Sequence, residues 1–220
     1  MHTKYLHLIS AIFITTLIVS NIIAVKIGTF GSLFLPVAVV VFPVSYILAD
    51  ILTEVYGYSV MRRTIWTGFF CNLIAVVILW IARVIPPAPF YDGQAAFTAV
   101  FASTPRILAA SFVAYLFGAF SNALILAKMK VKTEGKLLWI RMIVSTVIGE
   151  GLDSAIFITL AFAGVFSSTQ VVTLAVTQWL FKLAFEFVAL PISTTVVGAL
   201  KRAEKLDHFD RGTDFHPLHF

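Results

Sequence analysis

Six apolar stretches, each near the roughly 20 residues that a helix needs to cross a hydrocarbon layer, run through the chain at about 6–26, 33–56, 64–85, 106–127, 138–163 and 170–199. Few folds are open to such a chain, because backbone N–H and C=O groups find no water in lipid and must be satisfied within helices or closed barrels. Barrel strands need side-chain alternation over about ten residues, and no segment shows it. The expected fold is therefore all-α and integral to the membrane: six transmembrane helices over 1–200, then a tail at 201–220. Composition agrees, with 60% hydrophobic and 12% charged residues and a mean hydropathy of +0.96, far from the roughly 25% charge of a soluble domain.

The breaks between spans carry the usual punctuation: Gly28 and Gly31, Gly57, then Pro86, Pro87 and Pro89, then Lys128 to Lys136, then Ser167 and Ser168. Short loops rich in Lys and Arg stay on the cytoplasmic side. Arg62 and Arg63 follow span 2, Lys128, Lys130, Lys132 and Lys136 follow span 4, and Lys201, Arg202, Lys205 and Arg211 follow span 6. Both termini are thus expected to be cytoplasmic in a bacterial inner membrane. The net charge of +5 is accounted for by that topology and gives no support to nucleic-acid binding. Lys4 precedes an apolar run that resembles a signal peptide, but no A-x-A pattern follows, so span 1 is read as a helix that stays.

Charged groups inside such spans are expensive, at about 2.5 to 17 kcal/mol at the bilayer centre depending on the scale, and they normally face a polar pathway or a partner. Five acids fall in this position: Asp50, Glu54, Glu150, Asp153 and Glu186. Tyr46, Asp50 and Glu54 are four apart and share one helical face. Arg62, Arg63 and Arg141 are expected at the depth of the last two, so ion pairs that lock helix ends compete with a gating role for Glu54 and Arg141. Gln178, Lys182 and Glu186 repeat the spacing of four in span 6. With about 1.5 Å of rise per residue, Glu150, Asp153, Lys182 and Glu186 fall near one level close to the midplane. One lysine cannot neutralise three carboxylates, so a binding role is favoured over a purely structural pair.

Ser20-Asn21 in span 1 and Ser121-Asn122 in span 4, each followed by a lysine (Lys26, Lys128), run in opposite directions, the trace expected of an inverted three-plus-three repeat. Ser111, Tyr115 and Asn122 share a face with Gly118, a pattern that also fits close helix packing. Serine-protease chemistry needs a nucleophile turn and a nearby His. The five histidines, His2, His7, His208, His216 and His219, all lie near the chain ends. With one cysteine, Cys71, no internal disulfide forms, and no metal or cofactor is expected. Leu152 interrupts the aspartyl-protease-like run Gly149-Glu150-Gly151-Leu152-Asp153, and a channel needs polarity along a whole pore.

Phe42-Pro43-Val44-Ser45-Tyr46, continuing through Asp50 and Glu54-Val55-Tyr56-Gly57, and Arg141 through Gly149-Glu150-Gly151-Leu152-Asp153-Ser154 resemble the queuosine precursor transporter family, also called the vitamin uptake transporter-like family. The similarity extends through Ser20-Asn21 and Lys26, Thr104-Pro105-Arg106, the run from Ala110 to Tyr115, Leu138-Trp139-Ile140-Arg141 and the tail from Asp210 to Pro217. His216 and Leu218 depart from the family's usual Asn and Phe. The resemblance implies uptake of a 7-deazaguanine, cyano or aminomethyl, and a plan related to the six-helix binding subunits of energy-coupling vitamin transporters.

A guanine edge offers two parallel donors that one carboxylate accepts in bidentate fashion. Glu150, Asp153 or Glu186 suits that role. Asn21, Asn122 or Gln178 suits the acceptors, O6 and N7 in guanine, and Tyr46, Tyr115, Trp179 or a Phe can stack on the ring. Tyr46, Asp50 and Lys182 complete the candidate substrate-binding set, and Glu150 or Glu186 is the candidate to carry a coupling proton. Two rivals remain at the level of sequence: a subunit that works only with an ATPase-driven partner, docked by small residues such as Ser20 and Ala24, and a membrane enzyme using the same carboxylates. No oligomeric state follows from these patterns.

Overall fold

A computed structural model describes residues 3–24, 26–30, 33–101 and 105–219; His2, Gly31 and Thr104, named above, lie outside them. The described chain is predominantly helical, and six of its helical segments are long and apolar enough to cross a membrane. Helix α1 is Leu6–Ile23, three residues shorter than expected. Beyond it the chain enters a small antiparallel hairpin, β1 (Ile27–Phe30) with β2 (Leu33–Pro36), in register Ile27 to Pro36 and Phe30 to Leu33. β-branched Ile27 and Thr29 suit extended backbone, and the Val37 N–H donates to the Lys26 carbonyl at 2.8 Å to close the base. A 3-10 turn, Val37–Val40, then feeds α2, Phe42–Tyr56, whose Pro43 sits in the first turn where no N–H is needed.

The expected loop after span 2 is absent: α3 (Tyr58–Val84) follows α2 across the single residue Gly57. Gly57 has φ +90°, and a Cβ there would lie 2.2 Å from His208 Cδ2, so only glycine turns this corner. The Asp210 carboxylate accepts from the Tyr58 N–H at 3.0 and 3.1 Å, satisfying an otherwise unpaired amide at the start of α3. Arg62 and Arg63 therefore lie within a helix rather than in a loop. A short helix, α4 (Gln94–Phe101), occupies the connection to α5 (Pro105–Lys132). Lys128, Lys130 and Lys132 belong to the end of α5, where cations complement the helix dipole. Helix α6 is Leu138–Phe162, and α7 runs Ser168–Glu204, taking in Lys201 and Arg202. At its start Ser167 and Gln170 form a reciprocal capping box.

Helices α5 and α6 meet at glycines. A Cβ on Gly149 would stand 2.7 Å from Asn122 Cβ and 3.0 Å from the Gly118 carbonyl, and one on Gly118 would stand 2.8 Å from Asp153 Cβ. Small residues let membrane helices approach this closely, and here the approach carries Asn122 and Asp153 to the interface. Helix α7 turns Lys182, Glu186, Ala189, Ser193 and Val197 inward and leaves Val188 and Ile192 exposed. Its interior Pro191 removes one backbone donor a turn beyond Glu186.

The residues leading into α1 and the end of α7 meet at one end of the bundle. The Lys4 and Tyr5 N–H groups donate to the Glu204 carboxylate at 3.0 and 2.7 Å. The segment after α7 packs back on the helices. The His208 N–H donates to the Val55 carbonyl at 3.2 Å, Arg62 donates to the Asp214 and His216 carbonyls at 2.8 and 2.9 Å, and Trp66 Nε1 donates to the Pro217 carbonyl at 2.8 Å. Phe215 stacks at 5.1 Å from the Tyr58 ring.

Candidate functional site

Tyr46, Asp50 and Glu54 repeat every four residues along α2, so each steps about 6 Å down one face, and each meets a different set of partners. At the first level stand Tyr46, Lys182, Glu150 and Asp153. Lys182 Nζ lies 2.8 Å from Glu150 Oε2 and also pairs with Asp153. The same ammonium sits 5.5 Å from the Tyr46 ring centre and 5.6 Å from that of Phe42, within cation–π range. Tyr46 is in electrostatic contact with both acids. Of the four residues expected near one level, Glu150, Asp153 and Lys182 meet in ion pairs, while Glu186, one turn further along α7, lies toward Asp50.

At the second level Asn122 Nδ2 donates to Asp50 Oδ1 at 2.6 Å. Glu186 is within Coulombic reach of Asp50. All three side chains are buried, at 1% exposure for Asp50 and Asn122 and 3% for Glu186. Among the described residues neither Asp50 nor Glu186 has an ion-pair partner, and Asp50 Oδ2, Asn122 Oδ1 and Glu186 Oε1 accept no hydrogen bond from the protein. Asp50 was expected to share arginines with Glu54. It faces an asparagine and a second acid instead, because Arg62 reaches away toward the tail and its guanidinium lies over the Tyr58 ring.

The third level is cationic. Glu54 receives Arg141 in a forked pair, 2.5 Å from Nη1 and 3.1 Å from Nη2, and Lys201 at 2.6 Å. Lys130 Nζ stands 3.5 Å from Glu54 Oε1, donates to the Glu54 carbonyl at 2.5 Å and the His208 carbonyl at 2.7 Å, and pairs with Asp207. Lys201 also contacts Asp207 at 2.9 Å. Burial pushes the Asp207 carboxyl up, but hydrogen bonds and charge from Lys130 and Lys201 outweigh it and hold the group below its usual range. This level ties α2, α5, α6, α7 and the tail together. Sequence spacing indicates the Glu54–Arg141 pair but not Lys130, Lys201 or Asp207. Three lysines two apart at a span end read as loop charges, although Lys130 is 1% exposed.

Other candidates sit apart from these levels. Asn21 is half-buried on α1, and among the described residues no hydrogen bond joins it to the acids. Gln178 is half-buried one turn before Lys182. Trp179 donates to the Val147 carbonyl at 3.0 Å and Tyr115 to the Ile65 carbonyl at 3.1 Å. These ties fix helix contacts and leave Tyr46 and Phe42 as the rings nearest the lysine. Arg106, in the Thr104-Pro105-Arg106 run, caps α6 by donating to the Leu160 and Ala163 carbonyls at 2.6 and 2.5 Å.

Two surface hollows, one of about 370 Å3 lined by Phe166, Thr169, Gln170, Thr173 and Leu174 and one of about 250 Å3 beside Tyr5 and Val196, contain none of the buried acids. Asp50, Glu54, Glu150, Lys182 and Glu186 are all buried. Exposure is graded: Asp153 keeps 14% of its side chain accessible, while Glu54 keeps none.

Residues 36–196 match the family model described as "Putative vitamin uptake transporter". A curated relative, the "Probable queuosine precursor transporter" of Bacillus subtilis (strain 168), is 25% identical over 147 residues, which cover 66% of this chain and 64% of the relative. The match thus spans somewhat less than two-thirds of that relative's length. No solved structure matches the chain.

Proposed function

The chain belongs to the vitamin uptake transporter family and is a multi-pass membrane protein and a transporter rather than an enzyme, and from that premise we propose that it imports a queuosine precursor of the 7-deazaguanine class. The observation that carries the proposal is the first level of the polar ladder, where one buried lysine holds two carboxylates beside Tyr46. In a bilayer such groups are retained at high cost and mark substrate pathways. Their chemistry fits the base. One carboxylate, Glu150 or Asp153, accepts from N1–H and the exocyclic amine, and the Lys182 ammonium donates to O6. A 7-deazaguanine has carbon at position 7, so O6 is the acceptor that remains on that side. The aromatic faces of Tyr46 and Phe42, now covered by Lys182, offer a stacking surface worth about 1–3 kcal/mol.

The graded exposure supports a direction of entry. Asp153 is the most accessible of the five acids within the spans, whereas Glu54 keeps no exposed side-chain surface. With both termini cytoplasmic in a bacterial inner membrane, as the distribution of lysine and arginine favours, the base enters at the Tyr46 level and leaves past Glu54. Helix α7 contributes Lys182 to the first level and Lys201 to the third, with Pro191 between them. Bending at Pro191 separates the two ends while the glycine-packed α5–α6 pair stays rigid.

Thermal unfolding of the detergent-purified protein against 7-cyano- and 7-aminomethyl-7-deazaguanine, guanine, riboflavin and biotin tests this. A ligand that binds only the native state adds about 2.7 kcal/mol at a hundredfold excess over its Kd. A shift confined to deazaguanines, and lost in Asp153→Asn, is expected. A shift with riboflavin or biotin alone would transfer the proposal to another cargo.

A further inference from the structure

We infer that Asp50 and Glu186, together with Asn122, form a proton-binding site separate from the base-binding level, and that a proton carried there drives the transport proposed above, on which this inference rests. Two buried carboxylates, Asp50 on α2 and Glu186 on α7, lie within Coulombic reach of each other, each with an oxygen that accepts no hydrogen bond and with no ion-pair partner for either among the described residues. The one lysine nearby is already held by Glu150 and Asp153. A buried acid pair without a cation is strongly disfavoured as two like charges, and one proton on either carboxylate removes that repulsion.

The surroundings point the same way. Asn122 is 1% exposed, donates through Nδ2 to Asp50 Oδ1 at 2.6 Å, and presents Oδ1 with no donor from the protein. An O–H on Asp50 or Glu186 is the donor that this geometry lacks. The groups that face Asp50 are Glu186 from α7, Glu150 from α6, Glu54 from its own helix and Asn122 from α5. Helix α1 brings only His7, in its first turn, and Arg62 of α3 is engaged by the tail. Among the described residues, Lys182 is the cation on the adjacent level, and it pairs with Glu150 and Asp153 rather than with Asp50 or Glu186. A proton-coupled cycle then follows from the ladder's order: an O–H forms on the pair when the site is open to the outer side and is lost to water once bending of α7 opens the inner side. Because Glu186 lies one turn beyond Lys182 on the same helix, movement of α7 that admits the base also moves this acid.

Two measurements test the inference. The first needs no substrate: infrared spectra of the purified full chain, titrated with pH, should show a protonated-carboxyl C=O band at neutral pH that Asp50→Asn and Glu186→Gln each remove. The second uses proteoliposomes and labelled 7-deazaguanines. An inward proton gradient should raise accumulation several-fold in the wild type, whereas Glu186→Gln should exchange label at equilibrium yet ignore the gradient. A band unchanged in both variants, accumulation driven by a sodium gradient instead, or exchange indifferent to pH in the wild type would each overturn the proposal. A protein that exchanges no deazaguanine refutes the transport reading, and the infrared band then decides the proton site by itself.

Discussion

Replacing Glu54 by Gln keeps the side chain's shape and removes the charge at the centre of the third level. Arg141, 0% exposed, loses the forked pair at 2.5 and 3.1 Å and keeps only the carbonyls of Gly135 and Lys136. Lys130 and Lys201 retain Asp207, so the loss falls mainly on the arginine. Breaking a buried pair by removing one partner costs about 3–5 kcal/mol. At about 2–4 °C per kcal/mol for a chain of this size, the unfolding midpoint in detergent should drop by about 6–20 °C. Arg141→Met should cost less, because Glu54 keeps Lys201 at 2.6 Å and Lys130 at 3.5 Å. The double variant should be no less stable than Glu54→Gln alone. An Arg141→Met protein less stable than Glu54→Gln, or a double variant whose losses simply add, would refute the assignment of this level as one coupled unit.

Gly149→Ala places a Cβ 2.7 Å from Asn122 Cβ and 3.0 Å from a backbone carbonyl, and overpacking of this kind costs about 1–3 kcal/mol. Gly198→Ala, whose new Cβ meets only Arg202 Nη1 at 3.9 Å, is the control and should leave the unfolding midpoint unchanged or slightly raised. The Asp207 carboxyl titrates below its unfolded value. Its contribution to tail docking is therefore complete above about pH 3.9 and is lost as pH falls through the lower folded value. Hydrogen exchange of residues 205–217 should be constant from pH 5 to 8 once corrected for intrinsic rates, and Asp207→Asn should raise it across that whole range. Pro191→Ala restores a backbone donor inside α7, so thermal stability should rise while initial uptake rates fall. Equal uptake with raised stability would remove Pro191 as the hinge.

Depth and face were legible in the sequence, and neighbours were not. Hydropathy located all six spans, and spacing by four put Tyr46, Asp50 and Glu54 on one face and Lys182 with Glu186 on another. Which helices those faces meet depends on packing. Gly118 and Gly149 set how closely α5 meets α6, and their pairing across two helices leaves no signature in spacing. The corner at Gly57 reads as a loop in the sequence because a glycine before two arginines is ordinary loop chemistry. It is a single-residue turn because His208 and Asp210, about 150 positions later, fill the space beside it. The β1–β2 hairpin was hidden by its own apolarity, since four-residue strands with apolar side chains read as the edges of a span.

Two helices begin on amides whose partners are made much later. The Lys4 and Tyr5 amides that lead into α1 wait for Glu204, 200 and 199 residues downstream, and the first donor of α3 waits for Asp210, 152 residues downstream. During synthesis both helices enter the membrane with those ends still bonded to water, and they acquire their protein acceptors only after the final span and its tail have left the ribosome. The bundle is thus clasped by the end of α7 and the segment that follows it. A chain interrupted after α7 would hold all six spans and the Glu204 acceptor, yet leave the Tyr58 amide and the Arg62 guanidinium without the partners that the tail supplies.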